Sequence, residues 1–206
     1  PRQWKLAGKP VKRIDTADKL DGSKVFAADL RLPGMLCAAI KDCPVFGGKL
    51  VSFDDSKIKT LRGVRGAVRV DDSSVAVVAD TWWRAKNALE QLPVVWNEGP
   101  NASASSALIA AHLKDGLTAP GDYAGRKEGD ALKAIAGAAK KVEATYGSPF
   151  LAHATMEPMN CTARVTADRA EAWVPTQNGE ASHAALAAAT GFPLDRCEIY
   201  KMDLGG

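Results

Sequence analysis

The chain has 206 residues, 46% of them hydrophobic and 25% charged, with a formal net charge of +3. That length holds one or two domains with a sizeable core, and the balance is ordinary for a globular protein. Lys and Arg are scattered among Asp and Glu, and the densest basic run, Lys9–Arg13, is short, so a solvated surface is expected and a nucleic-acid partner is not.

Residues 1–21 are polar and aperiodic and read as an extended leading segment, with a turn at Leu6-Ala7-Gly8-Lys9-Pro10. Pro1-Arg2-Gln3-Trp4-Lys5 lacks the apolar run of a signal peptide, and no stretch of the chain is apolar enough to span a bilayer. Strand signals then recur as short apolar runs between breakers: Val25-Phe26-Ala27, Met35–Ile40 after Pro33-Gly34, and Leu50-Val51-Ser52-Phe53 after Gly47-Gly48. Asp54-Asp55-Ser56 predicts a capped short helix over Lys57–Leu61, stopped near Gly63. Ala67–Val70 and Val75–Ala79 read as buried strands. Asp80 or Thr81 caps a helix over Trp82–Leu92, whose Trp82, Ala85, Ala88, Leu89 and Leu92 follow helical spacing. Pro93 ends it, and Val94-Val95-Trp96 is a further strand. Residues 22–99 thus predict one α+β domain.

Residues 100–129 begin at the breaker Gly99-Pro100-Asn101, carry a helix over Ser103–Leu113, and continue into a Gly- and Pro-rich linker, Gly116–Gly129. Residues 130–206 open a second domain: a short helix over Asp130–Ala139, a strand over Lys140–Tyr146, strands at Thr162–Val165 and Ala170–Val174, a helix over Glu180–Thr190 stopped by Gly191, and a strand over Cys197–Leu204.

Few residues carry a chemical signature. Cys37, Cys43, Cys161 and Cys197 form no Cys-x-x-Cys pair and have no zinc-finger spacing, so packed thiols are expected and their disulfide status stays open. His112, His153 and His183 have no metal-ligand spacing, and His112 and His183 fall on predicted helices as surface or partly packed residues. His153 stands four residues before Glu157 in a stretch bracketed by Pro149 and Pro158. On a helix the two would share a face, which suits a carboxylate orienting an imidazole; alternatively they brace a bend through backbone hydrogen bonds. Thr176-Gln177-Asn178 lies between a strand and a helix, where backbone amides suit either an anion or simple capping. There is no Gly-x-Ser-x-Gly elbow, no P-loop and no Gly-x-Gly-x-x-Gly.

Several runs resemble a known family. Gly8-Lys9-Pro10-Val11-Lys12-Arg13-Ile14-Asp15-Thr16, Asp21-Gly22-Ser23-Lys24-Val25-Phe26, Leu32-Pro33-Gly34-Met35-Leu36 and Val75-Ala76-Val77-Val78-Ala79-Asp80-Thr81 look like the hammerhead domain of xanthine dehydrogenase-type large subunits. Pro44-Val45-Phe46-Gly47-Gly48 and Trp96-Asn97-Glu98-Gly99-Pro100-Asn101 are similar to the branch typified by the isoquinoline 1-oxidoreductase beta-subunit, whose members are often described as aldehyde dehydrogenases. His153-Ala154-Thr155-Met156-Glu157-Pro158 resembles that family's substrate-side segment, and Trp173-Val174-Pro175-Thr176-Gln177-Asn178 the junction before its cofactor loop.

The resemblance implies an α+β chain: an α/β hammerhead domain followed by the start of a molybdopterin-binding α/β domain. It implies oxidation of an N-heterocycle or aldehyde with water as oxygen source, by molybdenum in a molybdopterin cofactor of the cytosine dinucleotide form. Electrons would pass to 2Fe–2S clusters on a small iron–sulfur subunit, and in some relatives to a cytochrome c subunit. Relatives often carry twin-arginine signals, which implies a periplasmic parent, with the cytoplasm as the alternative. His153 and Glu157 would support the substrate side; Gln177, Gly205 and Gly206 would lie at the cofactor.

The departures also matter. Leu151 stands where many relatives have a glutamine that approaches the metal, and the family's catalytic glutamate has no counterpart here. No catalytic residue is therefore expected in this chain. Gly205-Gly206 follow a strand directly, a position that usually opens a loop. The chain is expected to work with the remainder of a large subunit, to bind no cofactor alone and to be inactive alone. The alternative is a free-standing binding or assembly module that docks a redox partner.

Overall fold

The structure is a computed structural model that describes residues 3–121, 125–126 and 128–206. Pro1, Arg2, Asp122, Tyr123, Ala124 and Lys127, which include part of the expected linker, lie outside the described residues. The elements in chain order are α1 (Ala17–Asp21), a 3-10 turn (Ala27–Asp29), β1 (Cys37–Asp42), β2 (Lys49–Phe53), β3 (Val64–Arg69), β4 (Ser74–Ala79), α2 (Trp82–Gln91) and β5 (Val94–Asn97). They continue through α3 (Ser106–Gly116), α4 (Ala131–Ala136), β6 (Thr162–Val165), β7 (Ala170–Val174), α5 (Gly179–Thr190) and β8 (Cys197–Lys201). Contacts gather them into two units, one of Gly34–Leu151 and one, discontinuous in sequence, of Pro1–Pro33 with Ala152–Gly206.

In the Gly34–Leu151 unit, β4 is the centre of an antiparallel sheet in the order β1-β4-β3. Five of its six residues are buried, which explains its continuous apolar run, Val75-Ala76-Val77-Val78-Ala79. α2 lays Ala85, Ala88 and Leu89 on this sheet, and Val75, Val77, Leu50, Ile58 and Leu92 complete the core. Thr81 caps α2 by accepting from the Arg84 N–H at 3.3 Å. β2 and β5 form a separate antiparallel pair, and the Arg69 guanidinium donates to the Leu50 carbonyl at 2.9 Å beside it. Gly63 joins the turn before β3 to the end of β4: its φ is +82°, and a Cβ there would fall 2.4 Å from Asp80 Oδ1.

The helix expected over Lys57–Leu61 is a run of turns over 56–60 instead. Its purpose is packing, because Ile58 is fully buried. α3 starts three residues later than the composition suggests, since Ser105 is the residue that caps it, accepting from the Leu108 N–H at 3.2 Å. The strand expected over Lys140–Tyr146 does not form. The alternation of Val142 and Tyr146 meets no partner strand among the described residues, and both side chains stay exposed.

The second unit holds a three-stranded sheet in the order β6-β7-β8. β6 and β7 run antiparallel, whereas β7 and β8 run parallel and are joined through α5, a β-α-β crossover. Ala170 and Ala172 are small enough to let Leu186 of α5 approach closely, and Cys197 closes the cluster. Asn178 caps α5 and accepts from the Ala181 N–H at 3.0 Å; Gly191, with φ +74°, ends it. His183 is the partly packed residue expected: its Nε2 carries the proton, because it faces two carbonyls, Leu194 O at 2.9 Å and Cys197 O at 3.0 Å. Elsewhere in this unit Glu171 is 2% exposed yet fully paired with Arg164, Arg169 and Tyr200. Burial alone would raise its carboxyl pKa, but those three donors hold it below the ordinary value.

The strand Val25-Phe26-Ala27 is replaced by the 3-10 turn. The Asp29 carboxylate accepts the Phe26 N–H at 3.0 Å and curls the chain before it can extend. Replacing the fully buried Ile58 by Ala is expected to cost the Gly34–Leu151 unit about 2–5 kcal/mol. Ile40→Ala, at a position 59% exposed, should cost within about 0.5 kcal/mol of nothing. Denaturant unfolding followed by fluorescence checks both; equal effects would contradict this assignment of the core.

Candidate functional site

Residues 150–160 contain no helix. Pro158 disfavours helical geometry at Glu157, and proline offers no backbone N–H to continue one. His153 and Glu157 therefore do not share a helical face, and His153 is exposed. Between them Ala154 adopts φ +37°, a left-handed conformation unusual for a residue with a Cβ.

Glu157 is held from four directions. Its main-chain N–H donates to Gly205 O at 3.1 Å, and the Thr155 hydroxyl donates to its carbonyl at 2.6 Å. Its Oε1 accepts the Ala28 N–H at 2.8 Å and the Asn160 side-chain amide at 3.1 Å. Its Oε2 is buried without a hydrogen-bond donor among the described residues. The reason for that burial is Gly205: a Cβ on Gly205 would lie 2.4 Å from Glu157 Cβ and 2.7 Å from Oε2. Gly206 follows with φ +119°, and a Cβ there would lie 3.1 Å from Met156 Cβ. Glu157 and Met156 thus fill one flank of the glycine pair.

The approach to the pair is fixed by charge. The Met202 N–H donates to Val174 O at 3.0 Å, which carries the chain off β8 alongside β7. Asp203 then meets Lys24 Nζ at 2.6 Å and Lys19 Nζ at 3.8 Å. Lys19 also reaches Asp15 at 2.6 Å, and Arg13 reaches Asp15 at 2.8 Å. The Arg13 and Lys19 hydrogen bonds push the Asp15 carboxyl far below the usual carboxylate range. Lys24 lowers Asp203 in the same way, and Asp203 raises Lys24.

These contacts border an open cleft of about 560 Å³, lined by Arg13, Lys19, Phe26, Glu157, Leu204 and the glycine pair, among others. Of the residues singled out from sequence, Glu157, Gly205 and Gly206 come together here. His153 and Gln177 are not in the lining, and Gln177 is exposed beside the Asn178 cap of α5. Sequence reasoning missed Ala28, Lys24, Asp203 and Asn160. Ala28 had no signal to offer, since its contribution is a backbone N–H 129 positions from Glu157. Among the described residues no three His, Cys, Asp or Glu side chains gather as a metal-ligand set.

The Molybdopterin cofactor-binding domain family matches residues 117–206. The chain resembles the molybdopterin-binding subunits of the xanthine dehydrogenase family over nearly its whole length. It is 28% identical over 98% of its length to a nicotinate dehydrogenase subunit of Pseudomonas putida, and spans 18% of that relative. Against the beta-subunit of isoquinoline 1-oxidoreductase from Brevundimonas diminuta it is 26% identical over 98% of its length, and spans 27% of it. The fold matches that of quinoline 2-oxidoreductase from Pseudomonas putida 86, with a TM-score of 0.70, 21% identity and coverage of 97% of this chain and 30% of that one. The aldehyde oxidoreductase of Desulfovibrio gigas matches with a TM-score of 0.68 at 18% identity, over 94% of this chain and 26% of that one. The glycine pair, Met156, Glu157 and Leu204 lie inside the matched molybdopterin-binding stretch, and Arg13, Lys19, Phe26, Ala28 and Asp29 outside it.

The Lys24–Asp203 contact has a definite pH signature. Asp203 titrates lower in the folded chain, so its stabilisation is present above its unfolded pKa of about 3.9 and is lost as pH falls through the folded value. Lys24 titrates higher, so its share is present below about 10.4 and is lost as pH rises through its folded value. Carboxyl-carbon NMR should find the Asp203 midpoint below about 3.9, moving up in Lys24→Met. A midpoint unmoved by that substitution would exclude the contact.

Proposed function

We propose that this chain contributes scaffold and one wall of the substrate funnel to the large subunit of a molybdenum-dependent oxidoreductase. In this reading residues 22–99 form the hammerhead, and residues 130–206 begin the molybdopterin-binding domain. The supporting observation is the juxtaposition of the glycine pair with Glu157 at a cleft, both lying within the stretch that matches a molybdopterin-binding family.

The cleft holds groups of the kinds a phosphate-bearing pterin needs, with carboxylates among them. Asp29 and Glu157 also line it, and Asp15 already pairs with both of its cations, Arg13 and Lys19; Phe26 and Leu204 supply apolar surface, and Gly205 and Gly206 offer backbone without side chains on the flank that Glu157 and Met156 leave clear. Those residues would hold the cofactor; His153 and Glu157 would support the substrate side, and Gln177 would stand at the edge of the cofactor. When bound, the molybdenum cofactor, of the cytosine dinucleotide form, would accept the two electrons of the oxidation. This chain's own contribution is to orient and enclose. No residue of it is assigned a proton transfer or a metal bond.

The substrate would be an electron-poor N-heterocycle or an aldehyde, hydroxylated with oxygen from water. Among the relatives, nicotinate dehydrogenase and isoquinoline 1-oxidoreductase carry names that fit the heterocycle, and the aldehyde dehydrogenase and aldehyde oxidoreductase carry names that fit the aldehyde. The electron acceptor would be a small subunit with 2Fe–2S clusters, followed in one arrangement by a cytochrome c subunit. Met156 and Met159 are 87% and 96% exposed. So large an apolar exposure around the Glu157 segment supports its being covered by the remainder of the large subunit.

The test is to produce the 206-residue chain, and the full-length product of its gene, in a host that makes the molybdenum cofactor. Molybdenum is measured by elemental analysis and pterin by fluorescence after oxidation. The expected result is about one of each per full-length protein and far less in the isolated chain. A folded full-length protein devoid of both would overturn the molybdenum reading, and a fully loaded isolated chain would overturn its dependence on the remainder.

A further inference from the structure

We propose that Glu157 is a positioning residue that shapes the Gly205-Gly206 turn before any ligand arrives, and that residue 205 is glycine because Glu157 occupies its side-chain space. The inference deepens the reading above, and rests on it only in calling this turn the cofactor side of the cleft.

Glycine before a ligand cleft is ordinarily explained by the ligand, whose approach a Cβ would block. Here the obstruction comes from the chain itself. The Cβ of an alanine at 205 would stand 2.4 Å from Glu157 Cβ, 2.7 Å from Oε2 and 3.2 Å from Cδ. The stem and carboxylate of Glu157 cannot give way by a simple rotation, because Oε1 is committed to the Ala28 N–H at 2.8 Å and the Asn160 amide at 3.1 Å. Its backbone is committed too, through the Gly205 carbonyl at 3.1 Å and the Thr155 hydroxyl at 2.6 Å. One side chain therefore connects three segments far apart in sequence: the 3-10 turn Ala27–Asp29, the segment 155–160 and the turn after β8. Oε2 has no donor among the described residues and stands beside the space that a Cβ on Gly205 would occupy. A buried carboxylate oxygen is costly to leave so poorly served, so the arrangement persists because the other contacts of Glu157 hold it there.

The consequence for the cleft is directional. Glu157 closes one flank of Gly205, so a bound group reaches this residue's backbone only from the other flank. The turn also takes its shape from Ala28 and Asn160 by way of Glu157. The latch is thus preorganised in the chain, and a ligand does not have to order it.

Amide hydrogen exchange and chemical shifts in the 206-residue chain, without cofactor, test this. Gly205→Ala leaves Glu157 in place, yet it should force that side chain off Ala28. The Ala28 amide, 177 positions away along the chain, should then exchange at least about tenfold faster and lose its carboxylate-bonded shift. Glu157→Ala should free the same amide and that of residue 157 itself. The double variant should be no worse than the worse single, because the clash and the latch are one interaction. Glu157→Gln keeps an acceptor oxygen and should preserve the Ala28 bond, whereas a purely space-filling role would be served as well by Glu157→Met. Unchanged Ala28 exchange in Gly205→Ala, or effects that multiply in the double variant, would overturn the proposal. Should Gly205→Ala fail to fold, recovery of folding in the double variant supports the latch and its continued failure refutes it. None of these measurements needs cofactor: a latch that passes in a full-length protein free of molybdenum and pterin survives the loss of the cofactor reading, and the converse result separates them equally well.

Discussion

A carboxylate with one oxygen bonded and the other in the space that a side chain on Gly205 would need is the constraint around which the discontinuous unit is organised. Glu157 accepts the Ala28 amide, donates a main-chain hydrogen bond to the turn after β8, and takes the space a side chain at 205 would need. Without it the leading residues would meet the chain after β8 mainly through charge, at Lys24–Asp203 and the longer Lys19–Asp203 pair. Those groups are partly exposed, and exposed ion pairs contribute little each and weaken with salt. The hydrogen bonds of Glu157 supply the geometric specificity that such pairs lack.

The two units solve the problem of burying small cores differently. In the Gly34–Leu151 unit a central strand, β4, is covered on both sides of its ladder by β1 and β3, and α2 supplies three close-packed small or aliphatic side chains. In the other unit the hydrophobic cluster is only four buried residues, Ala170, Ala172, Leu186 and Cys197. It is supplemented by a polar network in which Glu171 satisfies Arg164, Arg169 and Tyr200, with Trp173 stacked on Tyr200 at 4.8 Å between ring centroids. Breaking such a network costs more than its members contribute singly, because each lost partner leaves another group unsatisfied.

The functional reading depends on both levels. A cleft with two cations, two carboxylates, apolar walls and a glycine pair is compatible with many ligands. What narrows the choice is that Met156, Glu157, Leu204 and the glycine pair, on one side of the cleft, lie in the stretch that matches a molybdopterin-binding family; the fold is shared with quinoline 2-oxidoreductase and an aldehyde oxidoreductase. The same fold supports distinct substrates among those relatives, so substrate identity has to come from side chains that contact the substrate, and the residues of this cleft do not specify one.

The sequence by itself determined the regular elements whose information is local. The helix beginning at Trp82 announces its cap, its apolar spacing and its terminating proline; β4 announces itself as an uninterrupted apolar run; Asn178 and Gly191 bracket α5. The motif around Glu157 and the glycine pair at the end of the chain were also legible, through resemblance. What only the tertiary structure decided was which of these meet. Lys140–Tyr146 alternates like a strand and found no partner among the described residues, since a strand exists only if another supplies its hydrogen bonds. His153 and Glu157, four apart, parted because proline removed the helix that would have joined them, while Glu157 and Ala28, 129 positions apart, came into contact through a backbone amide. Every residue but proline carries such an amide, so no pattern of side chains could have marked that one.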